Sequence, residues 1–136
     1  MSNTADEVEL MDAARAAQQR AYAPYSKFHV GAAVRAGGKI FAGCNVENAS
    51  YGLCICAERN AISAAVIAGE RKLQACVVIT DASPPSAPCG MCRQTLREFS
   101  VDPTSVRVTA INRQGEQRSW TVAELLPDGF TGAELP

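Results

Sequence analysis

The sequence has no large excess of charge of either sign. Its 13 Lys and Arg residues nearly balance 14 Asp and Glu residues, which leaves a formal net charge of −1. Proteins that hold nucleic acid through many phosphate contacts depend on clustered Lys and Arg, so this balance argues against a polynucleotide partner. The sequence also lacks a run of roughly 18 to 20 apolar residues that would span a bilayer. We therefore expect neither nucleic acid nor a membrane as a partner.

The amino end lacks the features of an export signal. Residues 1–9 are polar and acidic, without the basic start and apolar stretch of a signal peptide. We therefore expect a cytoplasmic protein. Six cysteines lie at positions 44, 54, 56, 76, 89 and 92. In a reducing compartment, clustered cysteines are more often metal ligands or catalytic groups than disulfide partners.

The hydrophobic pattern predicts a single domain over residues 1–136. Helices are predicted at 4–21, 57–68, 89–99 and, briefly, 121–126, and the first and last of these begin with the capping boxes Thr4/Glu7 and Thr121/Glu124. Strands are predicted at 28–34, 39–44, 73–80, 105–111 and 117–120. This order predicts an α/β protein, a three-layer α/β/α sandwich with a mixed sheet of about five strands.

Three cysteines have the spacing of a catalytic metal site. Cys89 and Cys92 are three residues apart, so on the first turn of a helix both sulfurs face the same side. The free amides at a helix amino end lower thiol pKa and favour the thiolate that a metal requires. Cys56, at the start of another predicted helix, supplies a third ligand. Three protein ligands with one open position are typical of catalytic zinc.

Two residues beside Cys56 complete this hypothesis. Residues two apart on a helix do not face each other, so Glu58 is expected to be a neighbour of the metal rather than a ligand. Such a carboxylate can accept a proton from zinc-bound water and pass it on. Three thiolates leave a zinc site negatively charged, and Arg59 is the candidate to offset that charge, although a surface role is an alternative.

Other interpretations of these cysteines remain open on the residues alone. Cys89 and Cys92 also fit a redox pair at a helix start. A structural zinc site requires a fourth ligand, for which Cys54, and less readily Cys44 or Cys76, is available. Cys44 and Cys76 lie in apolar strands and are expected in the core. His29 is expected to point away from Phe28 and to serve an interface or the core.

Beyond the metal motif, the sequence resembles the small cytidine deaminases among the zinc nucleoside and nucleobase deaminases. The resemblance covers roughly residues 21–130. It is carried by Tyr22-Ala-Pro-Tyr-Ser26, Phe28-His-Val-Gly-Ala-Ala33, Gly43-Cys-Asn-Val-Glu-Asn48, Cys56-Ala-Glu58, Pro88-Cys-Gly-Met-Cys-Arg-Gln94 and Leu125-Leu-Pro-Asp-Gly-Phe130.

The resemblance implies the zinc-dependent hydrolytic deamination of cytidine and 2′-deoxycytidine to the uridine nucleosides and ammonia. It implies one Zn²⁺ per subunit on Cys56, Cys89 and Cys92, with Glu58 relaying protons. The alternatives are a related zinc deaminase acting on another aminonucleoside such as blasticidin S, and a non-enzymatic zinc-stabilised module.

The resemblance also implies roles at the substrate. Asn45 and Glu47 bind the ribose hydroxyl, Phe28 packs against the base, and Ala57 offers its backbone to the pyrimidine. Tyr51 and Phe130 reach the pocket of a neighbouring subunit, because small members of the family are homotetramers. On the residues alone, Asn45 and Glu47 also fit a simple turn, and the two aromatics also fit a core.

Overall fold

The computed structural model describes residues 3–136. It contains four α-helices and five strands, in the order α1 (Ala5–Gln18), β1 (Gly31–Ala36), β2 (Lys39–Cys44), α2 (Ala57–Ile67), β3 (Leu73–Ile79), α3 (Gly90–Glu98), β4 (Arg107–Ile111), β5 (Gln117–Thr121) and α4 (Val122–Leu125). Short 3₁₀ helices at Tyr51–Leu53 and Gly132–Glu134 were not predicted. No helix in the described part of the chain is both long enough and apolar enough to cross a membrane.

The strands form one mixed sheet in the order β2-β1-β3-β4-β5. Strands β3 and β4 are parallel, and the other neighbouring pairs are antiparallel. The Gly37-Gly38 turn joins β1 to β2, and both glycines have the positive φ that such a tight turn requires. The predicted fold class is therefore confirmed.

Helices cover both faces of the sheet. On one face, α1 packs Leu10, Met11 and Ala14 against the sheet. On the other face, α2, α3 and α4 share a larger core with the remaining inward-facing strand residues. Strand β3 contributes Val77 to the first cluster and Val78 to the second, because successive strand residues point to opposite faces. The apolar run of β3 is thus buried on both sides, as the sequence predicted.

A close approach between α2 and the edge strand β2 fixes the position of α2. A Cβ added at Gly43 would meet the backbone nitrogen of Ala61 and, at 2.7 Å, the carbonyl oxygen of Ala57. Only glycine allows the helix backbone to lie this close to the strand. The amino end of α2, with Cys56 as its N-cap, is thereby held at one edge of the sheet.

Two predicted boundaries were wrong by three residues, the largest differences, and hydrogen bonds explain both. Helix α1 ends at Gln18 rather than near residue 21, before Pro24 is reached, because the backbone of Tyr22 pairs with the 45–47 segment instead. Strand β1 begins at Gly31 rather than Phe28. The Phe28 carbonyl and the Val30 amide bond to the side chain of Asn45, just beyond the end of β2, and the Val30 carbonyl accepts from the Asn45 backbone amide.

Candidate active site

The amino ends of α2 and α3 bring three cysteines together. Cys56 is the N-cap of α2, Cys89 is the N-cap of α3, and Cys92 lies in the first turn of α3. The sulfur of Cys89 is 3.7 Å from that of Cys56 and 3.5 Å from that of Cys92, and all three sulfurs lie within 4.8 Å of one another. The spacing predicted from the sequence is therefore realised in the fold.

The three sulfurs fit a tetrahedral zinc ion. Zinc–sulfur bonds of about 2.3 Å in tetrahedral geometry place two ligand sulfurs about 3.8 Å apart. The observed separations of 3.7 and 3.5 Å are close to that value. Thiolates are also soft ligands of the kind that zinc prefers.

No fourth protein ligand joins the cluster within residues 3–136. The sulfur of Cys54 is engaged elsewhere, since it accepts a hydrogen bond from the Asn48 amide at 3.4 Å and donates one to the Asn48 carbonyl at 3.6 Å. Cys76 is buried in β3, as expected, whereas Cys44 is only partly buried and the expected core position was wrong for it. The three-ligand arrangement with an open position therefore fits better than a closed structural site.

The thiol of Cys56 is stabilised as a thiolate. Hydrogen bonds lower the pKa of Cys56 to about 5. The largest effect comes from the Cys92 thiol and the next largest from Arg59. The guanidinium Nη2 of Arg59 lies 3.8 Å from the Cys56 sulfur and also donates to the Cys54 carbonyl at 3.2 Å. The structure thus places a positive charge beside the cluster, where it offsets the charge of the thiolates.

Glu58 is a buried carboxylate beside the cluster and is not a member of it. Its side chain is on the first turn of α2, and the residue is 5% exposed. Burial raises the pKa of Glu58, and the negative charge of the Cys56 thiolate raises it further. A carboxylate in this environment takes up a proton more readily than one in water, as a proton carrier near neutral pH must.

A cavity of about 290 Å³ opens onto these groups. Phe28, Asn45, Glu47, Ala57 and Glu58, all predicted from the sequence, line this cavity together with Cys56 and Cys89. The sequence predicted no role at the substrate for the other lining residues, which are Val30, Cys54, Ile55, Val78, Thr80, Ser86 and Ala87. Most of these are small or apolar residues at strand ends and in loops, which carry no signal in a single sequence.

The predicted sugar-binding residues are held by hydrogen bonds. Asn45 Oδ1 accepts from the Val30 amide at 2.9 Å, and Asn45 Nδ2 donates to the Phe28 carbonyl at 2.8 Å. Glu47 accepts from the amides of Tyr25 and Ser26, each at 3.1 Å, and from the Ser26 hydroxyl. The Ser26 hydroxyl is the main cause that lowers the pKa of Glu47. Asn45 thus also supports the segment that carries Phe28, a role that the sequence analysis missed.

Three further predicted positions lie outside this cavity. Tyr51 is 77% exposed and Phe130 is 54% exposed, so neither is a core aromatic. Gln94 Nε2 donates to the Phe130 carbonyl at 2.8 Å and ties the C-terminal segment to α3. His29 is half-buried and its Nδ1 lies 3.1 Å from the Lys27 carbonyl, away from the metal cluster.

Arg93 supports the loop that carries the metal ligands. Its Nε donates to the Pro88 carbonyl at 2.7 Å, and its Nη1 donates to the Leu125 carbonyl at 3.0 Å. The side chain therefore joins the residue just before Cys89 to the end of α4. A single Arg in a helix gives no sequence signal for such a contact.

The site has the parts of one class of enzyme. Three cysteine sulfurs at helix amino ends, with a buried carboxylate outside the cluster, form the arrangement of the zinc-dependent deaminases of nucleosides and bases. The fold, with helices on both faces of a mixed sheet, carries both metal-binding helices on the same face.

Comparisons with known proteins support this class. The family model for the cytidine and deoxycytidylate deaminase zinc-binding region matches residues 4–108. A cytidine deaminase of Sporosarcina psychrophila is 43% identical over 131 residues, which cover 96% of this chain and 95% of that protein. The crystal structure of cytidine deaminase from Burkholderia pseudomallei is 48% identical, has a TM-score of 0.86, and matches 96% of this chain and 100% of that one. The cytidine deaminase from Mycobacterium tuberculosis has a TM-score of 0.77 at 36% identity, over 93% of this chain and 98% of that one.

The chain belongs to the cytidine deaminase family. Its zinc-binding region contains the Cys56, Cys89 and Cys92 cluster described above.

Proposed function

We propose that this protein catalyses the zinc-dependent hydrolytic deamination of cytidine and 2′-deoxycytidine. The observation that carries the proposal is that one cavity holds both the groups for metal binding and proton transfer and a group for sugar binding. Glu58 and two cysteines of the cluster, Cys56 and Cys89, line the same cavity as Glu47, a carboxylate suited to a sugar hydroxyl. Family membership points to the same reaction.

Glu58 is the proton carrier of the proposed reaction. When bound at the thiol cluster, zinc supplies a nucleophile near neutral pH by lowering the pKa of a coordinated water. Glu58 takes up one proton from the attacking water and delivers it to N3 of the base. It then takes up a second proton from the new C4 hydroxyl and delivers it to the departing amine, which leaves as ammonia. A C4–O bond forms and the C4–N bond breaks, so one water is consumed and the uracil nucleoside and ammonia are produced. Arg59 offsets the negative charge of the thiolates during this cycle.

The remaining cavity residues orient the nucleoside. Glu47 accepts a hydrogen bond from a ribose hydroxyl, with Asn45 beside it. The ring of Phe28, which is 40% exposed and lines the cavity, packs against the base. The backbone of Ala57, at the free amino end of α2, bonds to the polar edge of the pyrimidine.

The lining of the cavity favours a nucleoside over a nucleotide. No Lys, Arg or His is among the described residues that line it. A phosphate group would have no cationic partner there, and Glu47 would repel it. We therefore expect the protein to act on cytidine and 2′-deoxycytidine in preference to their monophosphates.

We also propose a homotetramer in which Tyr51 and Phe130 reach the cavities of neighbouring subunits. Both side chains are large, mostly exposed and outside the cavity of their own chain. Light scattering on the purified protein should give four times the 14.4 kDa mass of one chain. A monomer with full activity would contradict this part of the proposal.

Two further expectations belong to the same proposal. Residues 1–136 form one catalytic domain, which is supported by a single sheet whose strands extend from residue 31 to residue 121. The protein works in the cytoplasm. This agrees with its six free cysteines, because none of them forms a disulfide bond and the cytoplasm keeps thiols reduced.

The activity is tested directly with purified protein. Incubation with cytidine should shift the ultraviolet spectrum to that of uridine and release one ammonia per uridine, with one zinc per chain in the same sample. Cytidine monophosphate, supplied at the same concentration, should react far more slowly. Absence of uridine from a sample that contains zinc would refute the proposed function.

A further inference from the structure

One hydroxyl group connects two residues of the substrate cavity. Ser26 Oγ donates a hydrogen bond to Glu47 Oε2 and accepts one from the Phe28 amide at 3.0 Å. A serine hydroxyl has one proton and two lone pairs, so a single oxygen serves both partners at once. Glu47 and Phe28 line the cavity, whereas Ser26 is not among its lining residues.

The contacts of Glu47 show which of its oxygens is available to a substrate. Oε1 already accepts two hydrogen bonds, from the amides of Tyr25 and Ser26. Oε2 accepts only from Ser26 Oγ among the described residues. A carboxylate oxygen has room for about two donors, so Oε2 retains capacity for one more. Because the Ser26 hydroxyl donates to Oε2, it orients the lone pair of Oε2 that remains available to a substrate.

Phe28 depends on the same loop. Its amide donates to Ser26 Oγ and its carbonyl accepts from Asn45 Nδ2 at 2.8 Å, so both of its backbone groups are fixed. The preceding residue, Lys27, has a φ of 61°, a left-handed conformation that is uncommon for a residue other than glycine. Such a conformation persists only when surrounding contacts hold it, and Ser26 supplies one of them.

We propose that Ser26 is a positioning residue for nucleoside binding. Its hydroxyl holds the sugar-binding carboxylate of Glu47 and the base-contacting Phe28 in one fixed relation, so that sugar and base are recognised together. The inference rests on the proposed function, because it concerns the nucleoside in that cavity. Ser26 acts through Glu47 and Phe28, and proton transfer at Glu58 does not involve it.

The test compares Ser26→Ala with Ser26→Thr, which keeps the hydroxyl. In Ser26→Ala we expect KM for cytidine to rise about tenfold, the effect of losing one hydrogen bond to a charged group. We expect kcat to stay close to the wild-type value, and Ser26→Thr to restore KM. Ser105→Ala is the matched control, since Ser105 is an exposed loop serine whose hydroxyl bonds only to the Asp102 carbonyl among the described residues.

A double-mutant comparison separates positioning from a general effect on the fold. When two residues act through one contact, the second substitution adds much less than it does alone. We therefore expect Ser26→Ala to raise KM clearly less in a Glu47→Ala background than in the wild-type enzyme. Zinc content and the unfolding temperature are measured on every variant.

Several outcomes would overturn the inference. These are an unchanged KM in Ser26→Ala, a Ser26→Thr variant as impaired as the alanine variant, and a full tenfold effect that persists without Glu47. Loss of zinc or of cooperative unfolding in Ser26→Ala would make the role of Ser26 purely structural. In each case the wild-type and Ser105→Ala enzymes still convert cytidine. If they do not, the proposed function fails instead.

Discussion

Replacing Glu58 with glutamine tests the central chemical role of the site. Glutamine has nearly the same shape, so it fits the buried position, but its amide cannot accept and return a proton. General acid–base groups contribute about 10²- to 10⁴-fold to enzyme rates. The only other carboxylate among the described residues that line the cavity is Glu47, which is held by the Tyr25–Ser26 loop. Among the described residues that line the cavity, Glu58 is thus the carboxylate available to carry the proton.

We therefore expect kcat to fall toward the upper end of that range, about 10⁴-fold, which corresponds to about 5 kcal/mol in the activation barrier. Zinc should remain at one per chain, because the three ligand sulfurs are untouched. The unfolding temperature should stay the same or rise, because burial and the Cys56 thiolate both disfavour the charged carboxylate. The neutral glutamine side chain removes the free-energy cost of burying a negative charge beside the Cys56 thiolate.

The assay follows uridine formation spectroscopically, with zinc measured by elemental analysis and unfolding by calorimetry. Glu98→Gln is the matched control, since it makes the same chemical change at an exposed position of α3. Retention of more than a tenth of the wild-type kcat in Glu58→Gln would refute its role as proton carrier. Loss of zinc in that variant would refute the conclusion that Glu58 is not a ligand.

Three further predictions concern the sugar, the metal and the fold. Glu47→Ala should raise KM for cytidine about 10- to 100-fold, the effect of a hydrogen bond to a charged group, and leave the reaction of 3′-deoxycytidine nearly unchanged. Cys54→Ser should keep one zinc per chain in elemental analysis, whereas Cys92→Ser should lose it. Gly31→Ala should unfold more easily by about 1 to 3 kcal/mol in denaturant titration, because its Cβ would meet the backbone of α1, whereas Gly132→Ala has open space and should not.

Each of these predictions has a result that contradicts it. Equal losses with cytidine and 3′-deoxycytidine would show that Glu47 does not bind the 3′-hydroxyl. Zinc loss in Cys54→Ser would make Cys54 a fourth ligand and close the open position. Wild-type stability in Gly31→Ala would mean that α1 does not rest against β1 as closely as the structure shows.

Much of the fold was predictable because local patterns and tertiary packing agree. The capping boxes at Thr4 and Thr121, the Gly37-Gly38 hairpin and the apolar run of β3 all appear where the sequence indicated them. The errors lie where backbone groups find distant partners, as Tyr22 does when its backbone pairs with residues 45 and 47 beyond the end of α1. The Asn45 side chain forms hydrogen bonds with the backbone just before β1. No pattern of hydrophobic residues reveals such a contact between positions 15 or more residues apart.

The site was predictable where its chemistry requires particular residue types. A three-thiolate zinc site requires cysteines at restricted spacings, and these are visible in the sequence. The supporting contacts are different, because Ser26 and Arg93 belong to types that are common on any surface. Their roles follow from distances in the folded chain, such as the 3.0 Å between Ser26 Oγ and the Phe28 amide. Such contacts appear only once the loops are placed.

The hydrogen bonds of Arg93 mean that the metal-binding motif depends on contacts with a distant part of the chain. Through Arg93, the Pro88 carbonyl is braced against Leu125, beyond the residues 4–108 that match the family model. The carboxyl-terminal segment carries no metal ligand, yet it acts as a strut for the loop that presents two of them. Grafting residues 88–92 onto another scaffold would transfer two ligand sulfurs without the Arg93–Leu125 contact that holds their loop in place.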